Sequence, residues 1–240
     1  MLNFLFNQEI DMRTKFIIAV AFIFAMILAF AMHEFAHGLV AYWNGDNTTK
    51  SMGRLTLNPF RHLDLFGTIS LVLVGFGWAK PVPVNPNNFT KIKRGIFTVS
   101  IAGVTMNLIL AIVNFLLLLI VFAISNAVGV TTTIGSIVFQ LFYYFFLYGI
   151  TINLTLMAFN LIPIYPLDGF HIVEAFAKYD NKYCVFMRKY GSMVLFALII
   201  FSSLASRIGG IFYYFDIIGR FVDTIAGGIE SLMFLIFNLI

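Results

Sequence analysis

Apolar positions run almost without interruption through residues 16–43, 95–125, 137–162 and 190–205, and the polar positions gather between these runs. Runs of about 18 or more apolar residues predict membrane-crossing helices, because a helix on a soluble core keeps apolar residues on one face only. The first run predicts a helix from about Thr14 to Asn44-Gly45-Asp46, where Gly45 supplies the left-handed backbone that closes helices. At about 1.5 Å per residue its roughly 30 residues span about 45 Å, so its last turns leave the membrane. The stretch LFGTISLVLVGFGWAKPVPVNP is different: it is short, broken at Gly75 and Gly77, and flanked by basic residues at both ends. It predicts a re-entrant β-loop, permitted only where it is buried in protein or lines a water-filled cavity. Pro81, Pro83 and Pro86 alternate with valines there, which excludes a helix and suits an irregular edge strand.

The helix near 95–125 carries Asn107 and Asn114, and the helix near 137–160 runs into FNLIPIYPLDGFHI. Pro163 and Pro166 break it, freeing backbone groups around Asn160 and Asp168. A further span follows the basic turn at 178–189. Beyond it Asp216, Arg220, Asp223 and Glu230 recur at near-helical spacing, predicting an interfacial helix ahead of SLMFLIFNLI. The pattern is that of an α-helical polytopic membrane protein with about four to six transmembrane helices and a re-entrant β-loop. It reads as one integral membrane domain over 1–240, with a core at about 16–180 and C-terminal helices at about 190–240.

Composition agrees: 60% of residues are hydrophobic, 11% are charged and the mean hydropathy is +0.94, whereas soluble domains are about 45–50% apolar and about 25% charged. No stretch is left for a separate soluble core. The first apolar run is far longer than the roughly 7–15 residues of a signal-peptide core, so it is expected to stay in the mature protein. Cys184 is the only cysteine, which excludes an intrachain disulfide and reads as apolar filler. The formal charge of +4 is informative through its distribution. Lys50, Arg54, Arg61, Lys80, Lys91, Lys93, Arg94, Lys178, Lys182, Arg188 and Lys189 fall in three connections, while the loop at 126–136 has no basic residue. The positive-inside rule puts those three connections in the cytoplasm. No continuous basic stripe suggests nucleic-acid binding.

Against this background the run FAMHEFAHGLVAYW stands out, with His33, Glu34 and His37 inside an apolar helix. Histidines four apart share one helix face, and HExxH is the arrangement in which two imidazoles bind zinc beside a glutamate that handles the proton of water. Ionisable groups in such a helix cost several kcal/mol unless they have partners or a task. The alternative is a pair of helix histidines satisfied by neighbours. A catalytic zinc takes three protein ligands and water, so a third ligand is needed. The candidates are His62, Asp64, Asp168 and His171. Asp168 is favoured: it follows the double-proline break, on a connection that returns to the inner half. Zinc, its carboxylate and a hydroxide beside protonated Glu34 also sum to zero charge, which a low-dielectric site tolerates. Asn160 could serve an oxyanion or hold a peptide backbone, or cap the broken helix; Asn107 could act at the substrate or bridge helices. His171 is a candidate for orienting the site from behind the ligands.

HEFAH on an early transmembrane helix, GRLTLNP followed by His62 and Asp64, GFGWAKPVPVNP and NLIPIYPLDG, in this order, resemble the site-2 protease family of intramembrane zinc metalloproteases, over roughly residues 20–180. The resemblance implies a three-helix catalytic core, one zinc ion per chain held by His33, His37 and Asp168, Glu34 as catalytic base, and regulated cleavage of transmembrane protein substrates in the bilayer. It also implies that the loop at Gly75-Phe76-Gly77 and beyond helps to present substrate, and that the protein is a multi-pass protein of a prokaryotic cell membrane. Two motifs depart from the family pattern. Asp64-Leu65-Phe66-Gly67 stands where relatives often have Asp-Pro-x-Gly, and Ala102-Gly103-Val104 where they often have Ala-Gly-Pro. Neither change replaces a proposed ligand, and no PDZ or CBS domain is recognised. The rival readings are a zinc or other metal-ion transporter, which does not need a glutamate beside the first ligand, and an inactive membrane scaffold.

Overall fold

In a computed structural model, residues 9–67, 70, 77–129, 132–178, 180–208 and 216–237 are described. The first helix, α1, runs from Met12 to Trp43. Asp11 caps it by accepting from the backbone N–H groups of Arg13 and Thr14, and Gly45, at φ +103°, turns the chain at its end. A short helix, α2 (Thr48–Ser51), and a 3-10 turn at Pro59–Arg61 fill the polar connection. A second 3-10 turn at Pro86–Asn88 precedes α3 (Ile92–Val128) and α4 (Thr133–Asn160). Helix α4 stops where Pro163 and Pro166 require it to; then α5 (Asp168–Phe176) and α6 (Lys182–Ile208) follow.

Four of these helices are long and apolar enough to cross a membrane: α1, α3, α4 and residues Lys182–Ala205 of α6. The chain is an α-helical polytopic membrane protein. Helix α1 is its axis, packing Ala21, Ala25, Ala29, Ala36 and Ala41 out of contact with solvent or lipid. Small residues let helices approach closely in a membrane, where lipid tails are as apolar as leucine and only packing and hydrogen bonds draw helices together.

One expectation changes. The strand expected at 78–86 is reduced, among the described residues, to one isolated antiparallel bridge between Leu63 and Ala79. Prolines at 81, 83 and 86 lack the N–H groups a ladder needs. The re-entrant turn itself, with Gly75, lies outside the described residues. The C-terminal segment, expected at the interface, packs on the bundle: α7 (Ile217–Val222), a π-helical turn (Asp223–Gly227) and α8 (Gly228–Phe237) place Val222, Ala226 and Met233 against Ala111, Phe115 and Ile150. Glu230 has a partner inside the bundle, accepting from the Thr151 hydroxyl at 2.7 Å.

Candidate metal centre

His33 and His37 lie one turn apart on α1, and Gly103 of α3 covers both. A β-carbon at Gly103 would fall 2.5 Å from His33 Cε1 and from His37 Nε2, so α3 closes over the imidazoles only because that residue has no side chain. Each ring is fixed through its Nδ1. His37 Nδ1–H donates to the Val99 carbonyl at 2.7 Å, an acceptor that dictates which nitrogen carries the proton. His33 Nδ1 lies 2.6 Å from Asn107 Oδ1. The Asn107 amide is itself oriented, since its Nδ2 donates to Asn153 Oδ1 at 2.8 Å and Asn153 Nδ2 donates to the Gly149 carbonyl at 2.7 Å. The acceptor end of Asn107 therefore faces His33, whose Nδ1 donates.

The two Nε2 atoms point at each other across 3.0 Å. Asp168 Oδ2 completes the group at 3.4 Å from His33 and 3.3 Å from His37. It is buried and has no hydrogen-bond partner. Gly169 allows this approach: a β-carbon there would run into the backbone of Leu161 and Ile162. Two imidazole nitrogens and a carboxylate oxygen, all within 4.8 Å of one another, are gathered closely enough to share one metal ion. Two neutral imidazoles and a carboxylate are the nitrogen and oxygen donors that zinc accepts, and three protein ligands leave a position open. The donor set fits the metal.

Glu34, beside the first histidine, accepts from the Val82 N–H at 2.8 Å. That contact depends on a polar clasp around residues 80–88. Arg54 donates to the carbonyls of Lys80 (2.8 Å) and Pro81 (3.3 Å), Thr49 to that of Pro83 (2.7 Å), and the Lys80 N–H donates to His62 O (2.9 Å). Asp46, fully buried, accepts from Thr48 N (3.0 Å), Thr48 Oγ1 (2.5 Å), Asn85 N (2.7 Å) and Asn88 Nδ2 (2.8 Å). Burial opposes its charge, but these hydrogen bonds outweigh burial and hold its carboxyl below the usual carboxylate range.

Two cavities meet at the site, of about 440 and about 410 Å³, and His33, Glu34, Pro81, Asn160 and Pro166 border both. The first is almost wholly apolar and takes in Gly77; the second is of mixed character and reaches Asp168 and His171. Asn160 donates its Nδ2 to the Leu156 carbonyl at 3.0 Å and faces the cleft. Asn107 does not reach the substrate side: it is fully buried with both ends of its amide engaged, and acts on His33. Nor does His171 touch the three donors. Its Nδ1 pairs with Glu174 at 2.9 Å, and Glu174 binds Arg188 of α6 at 2.6 Å. His62 is no ligand of this group: it is fully buried and anchors the loop, its Nε2 lying 2.9 Å from the Thr56 carbonyl; Asp64 accepts from the Gly67 N–H. Asn153 went unnoticed in the sequence although it is a second amide two turns before Asn160 in an apolar helix. Asp46 gave no signal, since an aspartate after a helix end reads as an ordinary turn residue.

The profile of peptidase family M50 matches residues 21–202. The chain is 46% identical over 152 residues to YwhC of Bacillus subtilis, named as a candidate zinc metalloprotease, covering 63% of this chain and 67% of that one. It is 28% identical over 218 residues to the similarly named Rip2 of Mycobacterium tuberculosis (84% and 77% covered), and 26% identical over 203 residues to Rip2 of Mycolicibacterium smegmatis (82% and 71%). No solved structure matches the chain at a significant level.

Proposed function

The chain belongs to peptidase family M50, a site-2 protease-like family of zinc metalloproteases, and from that premise we propose that it hydrolyses peptide bonds in or near the transmembrane segments of other membrane proteins. The observation that carries this reading is the convergence of His33 Nε2, His37 Nε2 and Asp168 Oδ2 at the C-terminal half of a helix long and apolar enough to cross a membrane, with Glu34 beside them. His33, His37 and Asp168 hold one zinc ion per chain. When bound, zinc supplies Lewis acidity to the scissile carbonyl and lowers the pKa of water. Glu34 takes a proton from the attacking water and returns it to the leaving nitrogen. The Val82 N–H holds one oxygen of Glu34, which fixes where the proton is received. Asn160, at the junction of the two cavities, is placed to donate to the developing oxyanion or to the substrate backbone. The neighbouring stretch from Gly77 to Pro81 borders the same cleft and offers backbone to a substrate that has unwound there.

The whole chain acts as one membrane domain. It sits in the cell membrane of a prokaryote, with the loops at 45–64, 80–94 and 178–189, and hence the site, toward the cytoplasm. A metal-ion transporter would need the three ligands but not Glu34. The test is metal analysis of the purified protein together with cleavage of single-span peptides. Wild type and Glu34→Gln are each expected to hold about one zinc, with cleavage lowered at least about 10²–10⁴-fold in the variant. A wild type that carries zinc across vesicle membranes and cuts no peptide would replace protease with transporter.

A further inference from the structure

The two cavities differ in a way that orients a substrate. Above Glu34 the apolar cavity follows one face of α1: Phe30, Met26 and Phe22 line it at successive turns, and Trp78 and Leu156 stand opposite. Apart from the shared His33 and Glu34, none of the described residues lining it carries an ionisable group. The second cavity runs the other way and gathers the polar side chains of Ser100, Asp168, His171 and Glu174. Glu34 lies at their junction. A peptide passing over Glu34 therefore has one apolar flank and one polar flank, and each flank has a single direction in which it is solvated or packed.

We infer that the substrate threads this cleft with its apolar flank along the Phe30–Met26–Phe22 face of α1 and its polar flank toward α5, extended for at least four residues on the apolar side. The inference rests on the proteolysis reading for its substrate. The spacing follows from helix and strand geometry. Phe30 and Met26 lie about 6 and 12 Å from Glu34 along α1, at about 1.5 Å per residue. An extended peptide advances about 3.3 Å per residue, so its second and fourth residues beyond the scissile bond reach those two levels. Side chains two apart in an extended chain point the same way, so both face α1. A peptide that stayed helical would instead need four residues to pass from Phe30 to Met26.

Disulfide trapping tests this without relying on catalysis. Cys184 is buried and is the only native cysteine, so introduced cysteines report alone. In zinc-loaded Glu34→Gln protein, Phe30→Cys and Met26→Cys are each oxidised against a set of single-span peptides. The peptides have a leucine-rich core and an Asn-Lys tail, with one cysteine moved residue by residue. The expected result is that the position trapped by Met26→Cys lies two residues deeper in the leucine core than the position trapped by Phe30→Cys. An offset of four means a helical flank, a Met26 partner nearer the tail means the opposite direction, and no trapping at either site means the cavity is not the path; each overturns the inference. Cleavage by wild type gives a second readout. Lysine at the second or fourth apolar-side residue is expected to lower cleavage about a hundredfold relative to leucine, the cost of an unpaired charge at membrane depth. Lysine two residues to the polar side is expected to be tolerated. Equal tolerance on both sides would also overturn the inference, whereas trapping in this register by the cysteine variants, with a wild type that cuts no peptide, would fail the proteolysis reading alone.

Discussion

Two carboxylates of this chain, Asp46 fully buried and Asp168 half-buried, are built in opposite ways. Asp46 receives four hydrogen bonds, from Thr48, Asn85 and Asn88, and lies in a loop at the end of α1. Asp168 turns a buried oxygen with no hydrogen-bond partner toward two imidazole nitrogens. A carboxylate whose acceptor sites are filled by neutral donors is stable as an anion and needs nothing more, so Asp46 fastens one segment to another. A carboxylate held against other acceptors is stable only with a cation, so Asp168 marks a binding site. Both aspartates are equally polar in sequence; what separates them is the supply of donors around them.

The contrast is broken most severely at Asp168. Asp168→Ala is expected to abolish cleavage and to reduce zinc to a small fraction of one per chain, measured by metal analysis after gel filtration, whereas Asp46→Asn should keep its zinc. Next in size are changes behind the histidines. Asn107→Ala releases His33 from its fixed orientation, and groups in that position typically contribute about 10–100-fold to metal affinity; competition with a chelator measures the loss. Gly103→Ala should weaken zinc similarly, because its methyl would occupy the space of both imidazole edges. His171→Asn, by contrast, should leave zinc affinity within about twofold, since partners outside such contacts couple little.

Asp46 gives the smaller effects, and they fall on stability. Replacing its carboxylate by an amide leaves some of its donors facing a donor, and is expected to cost about 1–3 kcal/mol, read as a lowered thermal midpoint. The pH dependence has a definite sign. The folded pKa of Asp46 lies below its unfolded value, so its stabilisation is complete above an unfolded pKa of about 3.9 and is lost only as pH falls through the lower folded value. The clasp should therefore hold through the neutral range, and wild type and Asp46→Asn should converge in stability only in acid. Thermal unfolding of both across pH 3–7 checks this.

The helices were legible because their limits have local causes. Gly45 closes α1, Pro163 and Pro166 end α4, and unbroken apolar runs mark the spans. The HExxH spacing and the double-proline return to Asp168 were legible for the same reason, since four residues fix a helix face and prolines fix a break. Contacts between distant helices were not. Asn107 reads as a polar residue in an apolar helix, and only the packing of α3 against α1 and α4 shows that its amide is used up between His33 and Asn153. Charges at helical spacing suggested that the C-terminal segment lies at the interface, but did not show the partners two of them find: Asp216 caps α7 by accepting from the Gly219 N–H, and Glu230 accepts from Thr151. Periodicity reports how often charge recurs along a helix, not whether a partner waits across the interface.

His33, His37 and Asp168 together are expected to hold one zinc ion. X-ray absorption at the zinc edge on the purified protein, beside Asp168→Ala, tests it most directly. The expected spectrum shows two imidazole nitrogens at about 2.0–2.1 Å and a carboxylate oxygen at about 2.0–2.2 Å, at about one zinc per chain, with the signal lost in Asp168→Ala. Full zinc loading of Asp168→Ala with an unchanged spectrum would contradict the account.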